Sequence, residues 1–332
     1  MPYLTVFRTV LSRTNFWSFM HPSLIKCINT PNTFFELEVN SYVLPGQPLT
    51  LVDTGIGTEK AWIALLQGLE KIGFQIEDIQ QIVLTHKHPD HFGLARRIQR
   101  ISGARVFIHK FDLADILDFP EKHESRVLRT LERCRSSGVP DNLINMCKPA
   151  IEFAGKMAES VEAEPLQEGQ RLPINGQDLE ILHTPGHTIG SVCLRYGKTI
   201  ITGDHVLPHY TPNIGGSDWE NPSLLLKFFK SLERLRSLCD KSLDVLPGHG
   251  PPIKRLSDRL DHIINHHKFR NIQILKILET GGKMTSWEVA SQLFGDMQGI
   301  HVFLGLGEVE AHFRYLENQG KIKFSNGNYS LA

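Results

Sequence analysis

The 332-residue chain reads as a mixed α/β protein on three observations. Short apolar strands alternate with amphipathic helices through residues 34–255. Histidines and aspartates gather where those strands end. After Pro247 the alternation stops and helices follow one another, which marks a second, smaller unit.

Residues 34–56 predict two strands around a Pro45-Gly46 turn, leading into a loop that carries Asp53, Gly55 and Gly57. Trp62, Leu65, Leu66 and Leu69 recur at helical spacing within residues 58–72. A strand at 79–85, a helix at 91–101 and a strand at 105–108 follow. Residues 112–160 are charged and helical, broken at Pro120, at Gly138-Val139-Pro140 and at Pro149. They interrupt the alternation and read as an insertion or lid. Strands return at 179–183, 191–196 and 198–202, then a helix at 222–238 and a last strand at 243–246. Beyond them, residues 263–278 predict a helix stopped by Gly281-Gly282, and Thr285-Ser286-Trp287-Glu288 is a capping box opening a second. A third helix is expected at 308–318 and a hairpin at 320–331, turning at Asn326-Gly327. Three helices and a small hairpin describe a winged-helix-like module over residues 262–332.

Composition narrows the function. Lys+Arg and Asp+Glu are both 36, so the formal charge is zero. That excludes a polybasic nucleic-acid binder working by charge alone. No apolar run approaches the ~18 residues of a membrane span, so no membrane partner is expected. The five cysteines form no CxxC pair and read as buried thiols in a reducing, cytoplasmic setting. The first 35 residues hold Arg8, Arg13 and Lys26 but no acid. An ordinary N-terminal strand and loop is the preferred reading of this 1–33 segment, with an organellar transit peptide as the alternative. Histidine stands out, with 16 residues.

The informative stretch is Thr85-His86-Lys87-His88-Pro89-Asp90-His91, directly after the strand QIVLT. His86 and His88 share a face of an extended segment, with Lys87 expected to point outward. Pro89 ends that regularity, and Asp90 and His91 sit where the next helix opens. A chance HxHxDH would arise in about 2 of a thousand chains of this length, so a solvated polar turn is a weak reading. Three more donors follow strand ends beside glycines: His187 in TPGHT, Asp204 in TGD and His249 in LPGHG. Nitrogen and oxygen donors around a small volume suit a borderline metal such as Zn²⁺.

The set HKHPDH, PGHT, TGD and PGHG, preceded by LVDTG, resembles the metallo-β-lactamase superfamily, in particular its glyoxalase-II-like hydrolases. The resemblance covers residues 34–255 and implies an αββα four-layer sandwich carrying a two-metal centre, with two zinc ions or Fe or Mn in their place. It implies that His86, His88 and His187 hold one metal, Asp90, His91 and His249 the other, and that Asp204 bridges them. It makes Asp53 a support for the ligands. Two cations ~3.5–4 Å apart can share a carboxylate and lower the pKa of a bridging water towards ~7. Asp90 is then placed both to bind metal and to orient the resulting hydroxide as the catalytic carboxylate. His183, His205 and Tyr210 are candidate donors to a developing oxyanion. His109, His123, His262, His266, His267, His301 and His312 read as surface or core residues, and the neighbours His266 and His267 as poor joint ligands.

Two function classes follow. The first is a hydrolase of a small-molecule ester, thioester or lactone, with the insertion and the C-terminal module walling its pocket. The second is an endoribonuclease docking RNA on the winged helix. Residues 271–332 carry five Lys/Arg against six Asp/Glu, which tells against RNA and leaves that module as a lid or a homodimerisation element.

Overall fold

The computed structural model describes residues 25–32, 38–216, 218–238 and 243–332. The transit-peptide reading of residues 1–24, the start of the first predicted strand at 34–37 and Cys239 lie outside them.

Six strands build the first sheet: β1 (Lys26–Thr30), β2 (Val39–Leu44), β3 (Thr50–Val52), β4 (Gln81–Val83), β5 (Arg105–His109) and β6 (Glu164–Leu166), in that order. The first three pair antiparallel and the rest parallel. The second sheet runs in reverse chain order through β11 (Asp244–Pro247), β10 (Thr199–Gly203), β9 (Val192–Tyr196), β8 (Gln177–His183) and β7 (Arg171–Ile174).

Strand alternation sorts the side chains into layers. Val52 and Val83 face the second sheet, while their neighbours Leu51 and Ile82 enter the opposite core. There they meet Ala61, Leu65 and Leu69 of α1 (Glu59–Lys71), with Ile98 from a later helix. On the second sheet, Ile201 faces inward and Ile200 outward, against Phe228 and Leu232. Both sheets are therefore covered on both faces, and the layers run α/β/β/α.

Helices α2 (Pro89–Phe92) and α3 (Ala95–Ser102) replace the single one expected at 91–101. The His91 carbonyl accepts from Thr54 N and Thr54 Oγ1, at 2.7 and 3.0 Å, so it serves the LVDTG loop and the helix breaks after it. The insertion folds as α4 (Lys110–Leu117), α5 (Phe119–Ser136) and α6 (Asp141–Ala154), with Pro149 inside α6 rather than ending it. Next come α7 (Leu224–Ser237), α8 (Leu256–Gly281), α9 (Ser286–Phe294), α10 (Ile300–Asn318) and a hairpin of β12 (Ile322–Ser325) and β13 (Asn328–Leu331).

The strand preferred within residues 1–33 is β1, which joins the edge of the first sheet. Three expectations are corrected. Cys27 is exposed, although Cys134, Cys147 and Cys193 are buried as expected. The expected boundary at residues 255–262 falls within α8. Its Leu260 and Ile263 belong to the sandwich, while Ile274 and Leu278 pack with the C-terminal elements. The insertion is no separate lid, because Val127, Leu131 and Ile144 share one core with Val289, Leu306 and Phe313.

Candidate metal centre

The donors of four separate loops meet at the ends of β4, β8, β10 and β11. His86 Nε2 and His187 Nε2 each lie 3.0 Å from His88 Nδ1. On the other side, His91 Nε2 lies 3.3 Å from His249 Nε2, which stands 3.5 Å from Asp90 Oδ2. Asp204 faces both groups: its Oδ1 is 3.4 Å from His91, and its Oδ2 is 3.4 Å from His249 and 3.8 Å from His187. All seven side chains predicted as ligands thus converge. Gly248 allows this, because a Cβ there would lie 2.2 Å from Asp204 Oδ1.

The outer nitrogens of His86, His91, His187 and His249 are engaged, which fixes those four rings. His91 Nδ1 lies 2.8 Å from Asp53 Oδ2, and His86 Nδ1 lies 3.0 Å from Thr85 Oγ1. Thr85 donates in turn to the same carboxylate, through N at 2.8 Å and Oγ1 at 2.7 Å. His187 Nδ1 bonds the Asn213 carbonyl, and His249 Nδ1 the Glu38 carbonyl, both at 2.9 Å. Read as N–H donors outward, these bonds leave the Nε2 lone pairs of all four rings facing the centre. Asn32 Nδ2 donates to Asp90 Oδ2 at 3.0 Å.

The electrostatics fit a cation. Burial opposes charge on every ligand, yet the histidines around Asp204 and Asp90 hold both carboxyls below the usual carboxylate range. Burial disfavours charge on His91 and His249 too, but Asp204 and Asp90 outweigh it, raising His91 and lifting His249 to about 10. Burial holds His86, His88 and His187 low, as neutral donors. Asp204 Oδ1 is buried, with no hydrogen-bond partner among the described residues. A carboxylate oxygen left bare among imidazoles is suited to a metal ion.

The other candidates divide. Tyr210 lines the cavity over the centre, as does Lys87. His205 does not: it is buried, its ring edge-on to Phe228, with neither nitrogen hydrogen-bonded among the described residues. Burial holds it down to about 3, and the expectation of an oxyanion donor there is corrected. His183 faces away from the centre's ligands, stacked 3.9 Å from His109 with Nε2 on the Ile189 carbonyl. Lys87 is a further correction. Its side chain turns outward from the strand as alternation requires, but into a buried pocket beneath the insertion, with Nζ 2.6 Å from Asp115 and 2.5 Å from Asp218. Sequence reasoning missed Asn32, Asn213 and Glu38, whose roles depend on distant segments meeting.

Comparison with known proteins agrees with this geometry. The profile of the Metallo-beta-lactamase superfamily matches residues 35–249. The chain belongs to that superfamily. It is 27% identical over 310 residues to "Probable metallo-hydrolase YqjP" of Bacillus subtilis, covering 89% of this chain and 92% of that one. It is 24% identical over 323 residues to "Atrochrysone carboxyl ACP thioesterase dmxR1" of Cryptosporiopsis, covering 91% and 82%. Among solved structures, the metallo-beta-lactamase family protein TTHA1429 of Thermus thermophilus superposes with a TM-score of 0.81 at 28% identity, over 93% of this chain and 98% of that one. This superfamily member is a metallo-hydrolase with His/Asp clusters able to hold metal ions. No helix among the described residues is long and apolar enough to cross a membrane.

Proposed function

We propose that this chain is a two-metal hydrolase of esters, thioesters or lactones whose acyl part is bulky and apolar. The observation that carries the reading is the cavity over the donors, about 630 Å³ in volume. His88, Asp90, His187, Asp204 and His249 form its floor, and Phe119, Val127, Ile151, Leu207, Phe303 and Leu304 are among its walls. Such a chamber favours an apolar group held above a charged floor. All of these walls but Leu207 come from α5, α6 and α10, so the insertion and the C-terminal unit together shape it. The thioesterase among the relatives supports an acyl substrate.

His86, His88 and His187 are proposed to hold one zinc ion, Asp90, His91 and His249 the second, and Asp204 both. When bound, the ions supply an activated water and polarise the scissile carbonyl. The chain's own residues do the rest. Asp90, held by Asn32, orients the attacking water and takes its hydrogen bond. Burial raises the Tyr210 phenol, so it stays protonated and can donate to the carbonyl oxygen. Asp53 fixes His91 directly and His86 through Thr85, so both keep their donor nitrogens inward.

The test is a panel of aryl esters, acyl-CoA thioesters, lactones, a phosphodiester and single-stranded RNA on metal-loaded protein, with Asp90→Ala as control. Turnover should rise with acyl chain length and fall at least ~100-fold in the variant. RNA or phosphodiester cleavage that Asp90→Ala abolishes, without acyl turnover, would overturn the proposal.

A further inference from the structure

A second buried cluster lies in the C-terminal helices, outside the centre described above. His267 lies on α8, and Glu308 and His312 stand one turn apart on α10. Both histidines are fully buried and Glu308 is 6% exposed. His267 was read from sequence as a poor partner for its neighbour His266, but the fold gives it a partner on another helix.

The geometry is that of three atoms around one point. His267 Nδ1 and His312 Nε2 are 3.1 Å apart, and Glu308 Oε1 stands 3.7 and 3.6 Å from them. The carboxylate is thus beyond ordinary hydrogen-bond length from both rings. Ligand atoms at ~2.0–2.1 Å from one tetrahedral ion lie about 3.3–3.4 Å from each other. The donors of the candidate metal centre show the same spacing, from 3.0 Å between His86 and His88 to 3.8 Å between His187 and Asp204.

The supports are also of the kind that orient ligands. His312 Nδ1 bonds Asn271 Oδ1 at 2.8 Å, which turns the Nε2 lone pair toward the shared point. The second oxygen of Glu308 accepts from Ile214 N at 3.1 Å and from Asn213 Nδ2 at 3.3 Å, leaving Oε1 for the cluster. We propose that His267 Nδ1, Glu308 Oε1 and His312 Nε2 form a further binding site for a transition-metal dication, separate from the centre beneath the cavity. Two imidazoles and one carboxylate suit Zn²⁺, Co²⁺ or Fe²⁺.

The protonation states agree. Burial keeps the His312 imidazole below its ordinary value and brings His267 down to about 3. Burial works against charge on Glu308, but its neighbours, from His312 and His267 to Arg270, bring its carboxyl down to about 2. Near neutral pH the cluster therefore offers two neutral imidazoles and a carboxylate, the forms that bind metal. Arg270 is the competing cation, with Nη1 3.7 Å from Oε1 and its guanidinium over the Phe294 ring. A bound dication takes its place at that oxygen.

The site has a structural consequence. Asn213, which donates to Glu308, offers its carbonyl to His187 Nδ1. Next to it, Gly215 and Gly307 touch so closely that a Cβ on either would lie 2.6–2.7 Å from the carbonyl oxygen of the other. An ion on α8 and α10 would lock these helices against the segment that orients His187.

Anomalous diffraction from crystals of the full chain loaded with Co²⁺ tests the site, paired with metal analysis of wild type, His267→Phe and His312→Phe. A peak about 2 Å from the three atoms is expected, with one equivalent lost in each variant while His86 and His187 keep theirs. Crystals occupied at His86 and His187 but empty here would overturn the proposal, as would equal metal content in wild type and both folded variants. The wild-type crystal decides the question even where a variant fails to fold.

Discussion

At the scale of single residues, Asp53 shows how one side chain outside the donor set governs it. Its backbone φ is +54°, uncommon for a residue with a side chain, and its carboxylate collects Thr85 N, Thr85 Oγ1 and His91 Nδ1. Asp53→Ala leaves all seven donors present but removes the acceptor that sets the His91 tautomer. Metal affinity or turnover should fall ~10–100-fold, read by competition with a chelator dye. His109 allows a different test, away from the centre. Burial, with the stacked His183 ring adding to it, depresses its imidazole to about 4. The unfolded chain then binds the extra proton below about pH 6.5, and the folded one only near pH 4. Stability should therefore decline as pH falls through that window. His109→Phe should flatten the decline in urea titrations taken at successive pH values. The donors themselves were legible because each sits in a short local motif ending a strand. Asn32 and the Asn213 and Glu38 carbonyls were not, since only tertiary folding brings them to the ligands.

Among the elements, the strands that pattern reasoning found are those with a run of β-branched or aliphatic residues. It missed β6 and β7, which are three and four residues long and contain Pro165 and Pro173. Both are edge strands, where a residue without an N–H is tolerated, so the breaker signal was real but its meaning was position in the sheet. Lys87 teaches a similar lesson. Alternation gave its direction correctly, but the insertion covers that face of the strand end, so the outward side chain is buried among Asp112, Asp115 and Asp218. This ammonium joins the metal loop after β4 to α4 and to the segment at 218. Lys87→Met should leave the acids without their shared cation and cost about 3 kcal/mol by urea unfolding. That is the lower end for a broken buried pair, because Arg126 still meets Asp115.

On the scale of the whole molecule, the sandwich with its layered cores cooperates with one further, helical core rather than carrying two appendages. Helices α5 and α6 come from the middle of the sequence, yet their apolar faces pack with α9, α10 and the end of α8. Contacts between chain segments this far apart cannot be read from local periodicity, which is why the insertion looked independent. The polar contacts repeat the pattern: Arg133 Nε and Ser137 Oγ of the insertion meet Glu310 of α10 at 2.7 and 2.6 Å, and Trp287 N donates to the Ser137 carbonyl at 3.1 Å. The substrate chamber lies between the cores, with its floor on the sandwich and its walls on the helices. Loosening the helical core should therefore alter binding before it alters the metal content of the centre on the chamber floor. Phe313 is fully buried there, its ring 4.0 Å from that of Tyr329. Phe313→Ala should cost about 3–5 kcal/mol as a cavity in that core. In hydrogen exchange, residues 119–154 and 286–331 should lose protection together, while β3, β4 and β10 keep theirs. KM should rise for acyl substrates with bulky apolar groups, while the metal held at His86, His187 and His249 is unchanged. If the insertion kept its protection while the C-terminal helices lost theirs, the shared core would be wrong, and the walls of the chamber would have to be treated as independent.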